Sequence, residues 1–138
     1  MFIDKLIAAI RKYGNPAVAG LDPKLEYIPS FIREKAFSEY GKGFEGAAEA
    51  ILEFNKRLID ALCDIVPAVK PQLAYYEMYG IDGIRAFAET CRYARTRGML
   101  VIADGKRSDI GSTARAYSDA YLGKTEIDDA ALSAFDTD

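Results

Sequence analysis

Asp104, Lys106 and Asp109 are closely spaced in the segment DGKRSDIGST at residues 104–113. Asp104 and Lys106 are two residues apart, so both side chains lie on the same side of an extended chain, and Asp109 follows three residues later. In a pocket of low dielectric constant, a lysine favours the ionised form of neighbouring carboxylates, and the carboxylates keep the lysine charged. A fixed ammonium group suits a reaction that develops negative charge on carbon, because it stabilises the carbanion and can supply its proton.

Two other charged residues occupy corresponding places after short apolar segments. Asp22 follows the segment AVAGL at 17–21, and Lys70 lies within AVKPQLA at 68–74, just as Asp104 follows MLVIA at 99–103. In parallel α/β folds the carboxyl ends of the strands gather at one rim, where ligands bind, so these groups are expected to converge. The alternative is a surface cluster of salt bridges, each contributing at most about 1 kcal/mol.

The elements that must position this rim follow from apolar spacing and from the placement of Gly and Pro. Short strands are predicted at 17–21, 68–74 and 99–103, with the first buried on both faces and Lys70 near the end of the second, because Pro71 is awkward inside a sheet. Helices are predicted over 2–13, 47–66, 76–97 and 113–122, with short helical pieces and loop over 24–46. Strands alternating with helices predict an α/β class with a parallel sheet and right-handed crossovers. The acidic tail 124–138 stays unassigned.

Several local features have structural interpretations. Gly98 is a predicted helix C-cap, and Ser112 or Thr113 is a predicted cap for the last helix. The tyrosines that follow the second strand are predicted to pack at the strand-to-helix turn rather than to stack on bases. Arg107 is interpreted as an isolated surface residue.

Composition limits the chemistry. The 138 residues, 50% hydrophobic and 28% charged, suit one globular domain spanning 1–138, and a formal charge of −3 gives no global attraction to nucleic acid or to an anionic membrane. The chain has no histidine, so the commonest general base and zinc ligand are excluded.

Cys63 and Cys91 lack metal-binding spacing and are interpreted as core residues in a reducing compartment. The start of the chain lacks the pattern of a secretory signal, and no apolar run is long enough to span a bilayer, so a cytoplasmic location is expected.

The segment at 104–113 resembles the Asp-x-Lys-x-x-Asp-Ile-Gly-x-Thr motif of orotidine 5′-phosphate decarboxylases. AGLDP at 19–23 is similar to the first-strand motif of that family, and VKPQLAYYE at 69–77 is similar to its second-strand lysine motif. The residues of these segments are most similar to those of the longer, mainly bacterial subfamily. The resemblance implies a (β/α)8 barrel that works as a homodimer without metal or organic cofactor and converts orotidine 5′-monophosphate to UMP and carbon dioxide in pyrimidine biosynthesis.

The resemblance also implies roles for individual residues. Lys106 would protonate C6 after decarboxylation, Asp104 would lie against the substrate carboxylate, and Lys70 would bind Asp104 and a ribose hydroxyl. Asp22 would bind the ribose as well. Asp109 completes the expected catalytic set of Lys106, Asp104 and Lys70. Asp109 and Thr113 would reach across the dimer interface into the site of the partner.

The chain departs from the family in length. Family barrels have eight strands, whereas three βα units are predicted here, so we expect the N-terminal part of a barrel, truncated before strand four and lacking the phosphate-binding groups. Two alternatives remain. One is the magnesium-dependent sugar-phosphate branch of the same superfamily, against which Lys70 argues, because that branch has an acidic residue there. The other is a non-catalytic α/β fragment whose open sheet edge pairs with another chain.

Overall fold

The computed structural model describes residues 1–138. Its helices are α1 (Phe2–Tyr13), α2 (Ser30–Tyr40), α3 (Phe44–Leu62), α4 (Ala74–Glu77), α5 (Gly80–Thr96) and α6 (Gly111–Tyr121). Its strands are β1 (Val18–Leu21), β2 (Ala68–Pro71), β3 (Leu100–Val101), β4 (Thr125–Ile127) and β5 (Ala130–Leu132), and a 3₁₀ turn at Leu25–Tyr27 follows β1. None of the helices is long and apolar enough to cross a membrane.

The first three strands form one parallel sheet in the order β1-β2-β3. Val18 of β1 pairs with Ala68 of β2, which pairs on its other side with Leu100 of β3. The predicted parallel sheet is therefore confirmed. Ala68 and Val69 of the central strand are fully buried, whereas Val18 is 40% exposed. The expectation that β1 is buried on both faces is wrong, because Leu21 is the only residue of β1 that is buried.

The core lies where the long helices pack on the sheet and on each other. α5 packs against β2 and β3, α3 packs against α5, and α2 packs against α3. Ile51 and Ile59 of α3 and Phe87 of α5 are fully buried in one cluster with Val69 and Val101 of the sheet. Each such side chain stabilises the fold by about 1.5–3 kcal/mol through apolar burial. This packing holds the carboxyl ends of the strands at fixed positions.

The helix predicted over 76–97 is interrupted. α4 ends at Glu77 and α5 begins at Gly80, whose φ of +63° is accessible to glycine at little cost. A Cβ on Gly83 would lie 1.9 Å from the carbonyl oxygen of Tyr76, so only glycine permits this close approach of α4 and α5. The apolar pattern does not show the break, because Tyr76 and Phe87, on either side of it, are both buried.

Other boundaries differ by a few residues. α1 has its predicted bounds, whereas α3 begins three residues earlier than predicted and ends at Leu62, four residues before Val66. The segment 24–46 contains the 11-residue helix α2 rather than only short pieces. β2 ends at Pro71 and β3 covers only Leu100–Val101, so both strands are shorter than predicted. Arg97 is the C-cap of α5, and Gly98 follows it with a φ of +77°.

The tail, unassigned from sequence, is ordered. β4 pairs with β5 in an antiparallel hairpin. The ring of Phe135 stacks on Tyr121 with 5.0 Å between centroids and meets Phe87 edge-on at 5.5 Å. The backbone N–H of Asp138 donates to the carbonyl oxygen of Val101 at 2.9 Å. The end of the tail therefore lies beside β3.

A buried polar cluster joins α3, α4 and α5. The amide Nδ2 of Asn55 donates to the hydroxyl of Tyr76 at 2.9 Å and to Oγ1 of Thr90 at 3.1 Å. Burial raises the pKa of the Tyr76 hydroxyl far above its ordinary value, so it stays protonated. Tyr76 is thus a packing residue, as predicted, and its hydrogen bond ties the turn after β2 to the helical layer.

Tyr76→Phe is expected to lower the free energy of unfolding by about 1 kcal/mol, because Asn55 loses one buried acceptor while the ring stays packed. Tyr75→Phe is the matched control: that hydroxyl makes no hydrogen bond in the structure, and its removal should change stability by less than about 0.5 kcal/mol. Urea unfolding followed by circular dichroism measures both. Equal midpoints for the two variants would contradict this role for Tyr76.

Candidate active site

The carboxyl ends of β2 and β3 are held in register by backbone hydrogen bonds. The N–H of Asp104 donates to the carbonyl oxygen of Pro71 at 3.0 Å, and the N–H of Leu73 donates back to the carbonyl oxygen of Asp104 at 3.1 Å. Gln72 and Asp104 form the parallel bridge between these two contacts. Because side chains alternate along a strand, Lys70 and Gln72 both lie on the side of Asp104.

The carboxylate of Asp104 is the centre of the site. Its Oδ2 accepts hydrogen bonds from Nζ of Lys70 at 3.1 Å and from Nε2 of Gln72 at 2.8 Å, and its Oδ1 accepts one from Nζ of Lys106 at 2.6 Å. Both oxygens are therefore engaged by donors from β2 and from the loop after β3. Charge-assisted hydrogen bonds of this kind are about twice as strong as neutral ones.

These donors fix the protonation state of Asp104. Hydrogen bonds from Lys106 and then from Lys70 hold the pKa of the Asp104 carboxyl below its ordinary value, and they outweigh the opposing effect of burial. The carboxylate is therefore ionised at neutral pH. The Asp104 side chain is 23% exposed and that of Lys106 is 69% exposed, so the ammonium group of Lys106 lies at the open side of the site. A small molecule can reach it.

Lys106 has an unusual backbone conformation. Its φ is +49°, in the left-handed region that residues other than glycine rarely adopt. Such conformations cost of order 1–3 kcal/mol and cluster at functional sites. Here the left-handed residue lies two positions after Asp104, and its ammonium group still contacts the Asp104 carboxylate. The loop thus holds Lys106 against Asp104 at some cost in backbone energy.

The other predicted site residues lie apart from this cluster. Asp22 follows β1 at the same rim but is exposed and makes no ion pair. Oδ1 of Asp109 accepts the N–H of Ile110 at 2.8 Å, and Thr113 is exposed in the first turn of α6. The prediction that Ser112 or Thr113 caps this helix is wrong: Ile110 is the N-cap, and both residues lie inside the helix.

The sequence interpretation missed two contributors. Gln72 received no role, although its spacing of two from Lys70 places both on the same side of β2. Arg107, interpreted as an isolated surface residue, is half-buried: it pairs with Glu77 and donates from Nη1 to the carbonyl oxygen of Gly105 at 2.6 Å. The interpretation of Arg107 is therefore corrected. No spacing signal links Arg107 to Glu77, which lies 30 residues earlier.

An open cleft of about 240 Å³ lies between the loop after β3 and α6. Lys106, Arg107, Tyr117 and Tyr121 are among its lining residues. The guanidinium of Arg107 lies 5.8 Å from the ring centre of Tyr117, within cation–π range. The structure contains no group of three or more acidic or cysteine side chains placed to hold a metal ion.

A carboxylate held between two ammonium groups, at the carboxyl ends of parallel strands, defines the chain as an α/β protein with an enzyme-like site at the rim of its sheet. Residues 18–135 match the sequence profile of the Orotidine 5'-phosphate decarboxylase / HUMPS family. The chain belongs to that family, as the motif at 104–113 indicated.

Curated relatives agree with this assignment. The chain is 45% identical over 127 residues to the orotidine 5'-phosphate decarboxylase of Rhodopirellula baltica, with 92% of this chain and 41% of that protein covered. It is 40% identical over 136 residues to the orotidine 5'-phosphate decarboxylase of Petrotoga mobilis, with 98% of this chain and 44% of that protein covered. The chain therefore spans about two fifths of the length of these relatives.

Solved structures show the same fold relationship. The Leishmania donovani OMP decarboxylase superposes with a TM-score of 0.63 at 30% identity, over 88% of this chain and 40% of that one. The UMP synthase of the same organism superposes with a TM-score of 0.64 at 30% identity, over 88% of this chain and 22% of that one. The predicted α/β class, with three βα units that correspond to part of the barrel of these enzymes, is confirmed.

Asp104→Asn is expected to remove a pH-dependent part of the stability. Because the pKa of Asp104 in the folded chain lies below its ordinary value of 3.8, the folded state binds fewer protons than the unfolded state between the two pKa values. The stabilisation is complete above the ordinary value and is lost as the pH falls through the folded-state pKa. The wild type should therefore be more stable than the variant at neutral pH, and the difference should shrink in acid.

Urea unfolding across the acidic range measures this difference. Asp64→Asn is the control, because Asp64 is exposed, precedes β2 at the opposite end of the sheet and contacts no basic side chain. Its stability should follow that of the wild type at every pH. A gap between wild type and Asp104→Asn that stayed constant from neutral to acid pH would show that the lysines do not act through the ionised carboxylate.

Proposed function

We propose that this chain supplies the proton-transfer part of an orotidine 5′-phosphate decarboxylase, which converts orotidine 5′-monophosphate to UMP and carbon dioxide in pyrimidine biosynthesis. The observation that carries the proposal is the clamp on Asp104, in which one carboxylate receives ammonium groups from two different segments of the chain. Membership of the family and the names of the relatives support the same reaction.

Lys106 is the proton donor in this proposal. When the substrate carboxylate leaves as carbon dioxide, the electron pair of the broken bond stays on C6 of the pyrimidine. The ammonium group of Lys106 stabilises this charge and transfers a proton to C6, and the lysine is reprotonated from solvent. The contact between Nζ of Lys106 and Oδ1 of Asp104 supports this role, because it holds the ammonium group beside the carboxylate that lies against the departing group.

Asp104 and Lys70 prepare the site for that step. Asp104 lies against the substrate carboxylate, and the like charges favour departure of carbon dioxide. Lys70 binds Asp104 and a ribose hydroxyl, and Asp22 binds the ribose from the end of β1. The position of Asp22 at the same rim as Lys70 and Asp104 supports this arrangement, since all three follow or end parallel strands of one sheet.

The proposed active form is a homodimer in the cytoplasm. Asp109 and Thr113 reach into the site of the partner subunit, and their exposure at the start of α6, away from Asp104, is compatible with this role. Cys63 and Cys91 are not joined in a disulfide, which suits a reducing compartment. In this proposal residues 1–138 form one partial barrel domain.

The two competing functions lead to different outcomes. A magnesium-dependent sugar-phosphate enzyme needs carboxylate ligands for its metal, whereas the second strand here supplies Lys70, whose ammonium group binds Asp104. A non-catalytic module needs no ionised network at the rim. A joined protein, in which this chain is followed by the remaining part of the Rhodopirellula baltica relative, allows the reaction to be measured directly.

Lys106→Ala in the joined protein is expected to lower kcat for decarboxylation by about 10²–10⁴-fold, because the variant loses the group that protonates C6. Nucleotide binding should stay measurable, since the lysine acts on the developing carbanion. The fall in absorbance as orotidine 5′-monophosphate is consumed gives the rate.

Lys42→Ala is the matched control, because Lys42 is exposed and makes no ion pair. It should retain wild-type kcat. Retention of most of kcat by Lys106→Ala would refute the assignment of the proton donor. Loss of activity on removal of magnesium would favour the sugar-phosphate alternative, and a folded joined protein that binds no nucleotide would favour the non-catalytic one.

Mixed dimers test the shared site. In a one-to-one mixture of Lys106→Ala and Asp109→Ala subunits, half of the dimers are hybrids with one complete site, so activity should recover to about a quarter of the wild-type value. A mixture of Lys106→Ala with Asp104→Ala is the control and should stay inactive, because both residues serve the site of their own subunit. Equal activity in the two mixtures would contradict a contribution of Asp109 across the interface.

A further inference from the structure

Gln72 lies where the ends of all three parallel strands meet. Its backbone N–H donates to the carbonyl oxygen of Leu21 at the end of β1, at 3.1 Å, and its carbonyl oxygen accepts the N–H of Tyr75 at 3.1 Å. The same residue forms the bridge with Asp104 after β3. Both the N–H and the carbonyl group of Gln72 are thus hydrogen-bonded, and its Cα is held at a fixed position relative to the ends of the three strands.

The side chain of Gln72 uses this fixed position to contact Asp104. Its Nε2 donates to Oδ2 at 2.8 Å, next to the bond that Nζ of Lys70 makes to the same oxygen. Lysine is a point donor on a flexible stem, so it attracts the carboxylate without defining its plane. The amide of Gln72 has a directional N–H and no charge. It can therefore orient Oδ2 without adding to the positive charge of the site.

Orientation matters because Oδ1 is the oxygen that contacts Lys106, at 2.6 Å. If the carboxylate turned about its Cβ–Cγ bond, Oδ1 would leave the ammonium group of Lys106. Lys70 and Lys106 are the charged groups that contact Asp104, with Asp22 at the end of the neighbouring strand. Neither lysine alone prevents this rotation, since an ammonium group can donate to either oxygen of the carboxylate.

We propose that Gln72 is a positioning residue that holds the plane of the Asp104 carboxylate. In this orientation Oδ2 accepts a hydrogen bond from Lys70 while Oδ1 accepts one from the proton donor Lys106. Its importance for catalysis rests on the proposed function, but the contact itself does not. The contact can be tested in the 138-residue chain without any nucleotide. Failure of that test would leave the decarboxylase proposal standing, and failure of the decarboxylase proposal would leave the result of the test standing.

Gln72 is the only glutamine in the chain. Labelling with ¹⁵N-glutamine therefore yields one side-chain amide signal, which belongs to Gln72, in the NMR spectrum. We expect this signal to shift as the pH falls, with a midpoint below the ordinary pKa of an aspartate, because the amide donates to a carboxylate that loses its charge there. Asp104→Asn should abolish the shift, and Asp64→Asn should leave it unchanged.

The reverse measurement follows the NMR shift of the carboxyl carbon of Asp104 against pH in the wild type, Gln72→Met and Gln72→Glu. Gln72→Met removes the donor at nearly constant size, so the ionised carboxylate loses a hydrogen bond and the midpoint of its titration should move up. Gln72→Glu places a second carboxylate against the first, and the midpoint should move up further. If Gln72 did not donate to Asp104, Gln72→Met would leave the midpoint in place while the chain stays folded, as circular dichroism would show.

An amide signal that does not respond to pH, or that responds equally in Asp104→Asn, would overturn the proposal. An unchanged Asp104 midpoint in folded Gln72→Met or in folded Gln72→Glu would do the same. If Gln72→Met does not fold, the labelled wild type and Asp104→Asn still decide the matter, because they leave Gln72 in place.

Discussion

The parallel register between β2 and the end of β3 is the constraint on which the site depends. Two backbone hydrogen bonds, from Asp104 to Pro71 and from Leu73 to Asp104, set this register. A slip of one residue would move every side chain of β2 to the other face of the sheet. Lys70 and Gln72 would then leave Asp104, and its carboxylate would keep only Lys106 from the neighbouring loop. Of the three donors to Asp104, Lys106 alone is brought near by its short distance in sequence.

The buried parts of the molecule protect this register. Pro71 has no N–H, and the N–H of the next residue, Gln72, donates to the carbonyl oxygen of Leu21 on β1. Behind the strands, the bond from Asn55 to Tyr76 ties the turn that follows β2 to the helical layer. The ladder at the rim is short, so its position is maintained largely by apolar packing and by this buried hydrogen bond.

The electrostatics of the rim follow from its composition. Lys70 and Lys106 carry two positive charges and Asp104 one negative charge, so the cluster has one net positive charge although the whole chain is acidic. Asp22, which follows β1 at the same rim, carries a negative charge that offsets this excess. Of the two lysines, Lys106 is the more open to solvent: its side chain is 69% exposed, against 36% for Lys70.

The sequence by itself determined the α/β class, the approximate places of the three parallel strands, the family, and the local pair of Asp104 and Lys106. These depend on short-range patterns: apolar runs, Gly and Pro at boundaries, and a spacing of two in extended chain. Tertiary structure alone decided that Lys70 and Gln72 share one oxygen of Asp104 and that Arg107 pairs with Glu77. It also decided the break between α4 and α5, which depends on the close approach at Gly83. Such contacts join residues distant in sequence or depend on backbone conformation, and no periodic pattern records either.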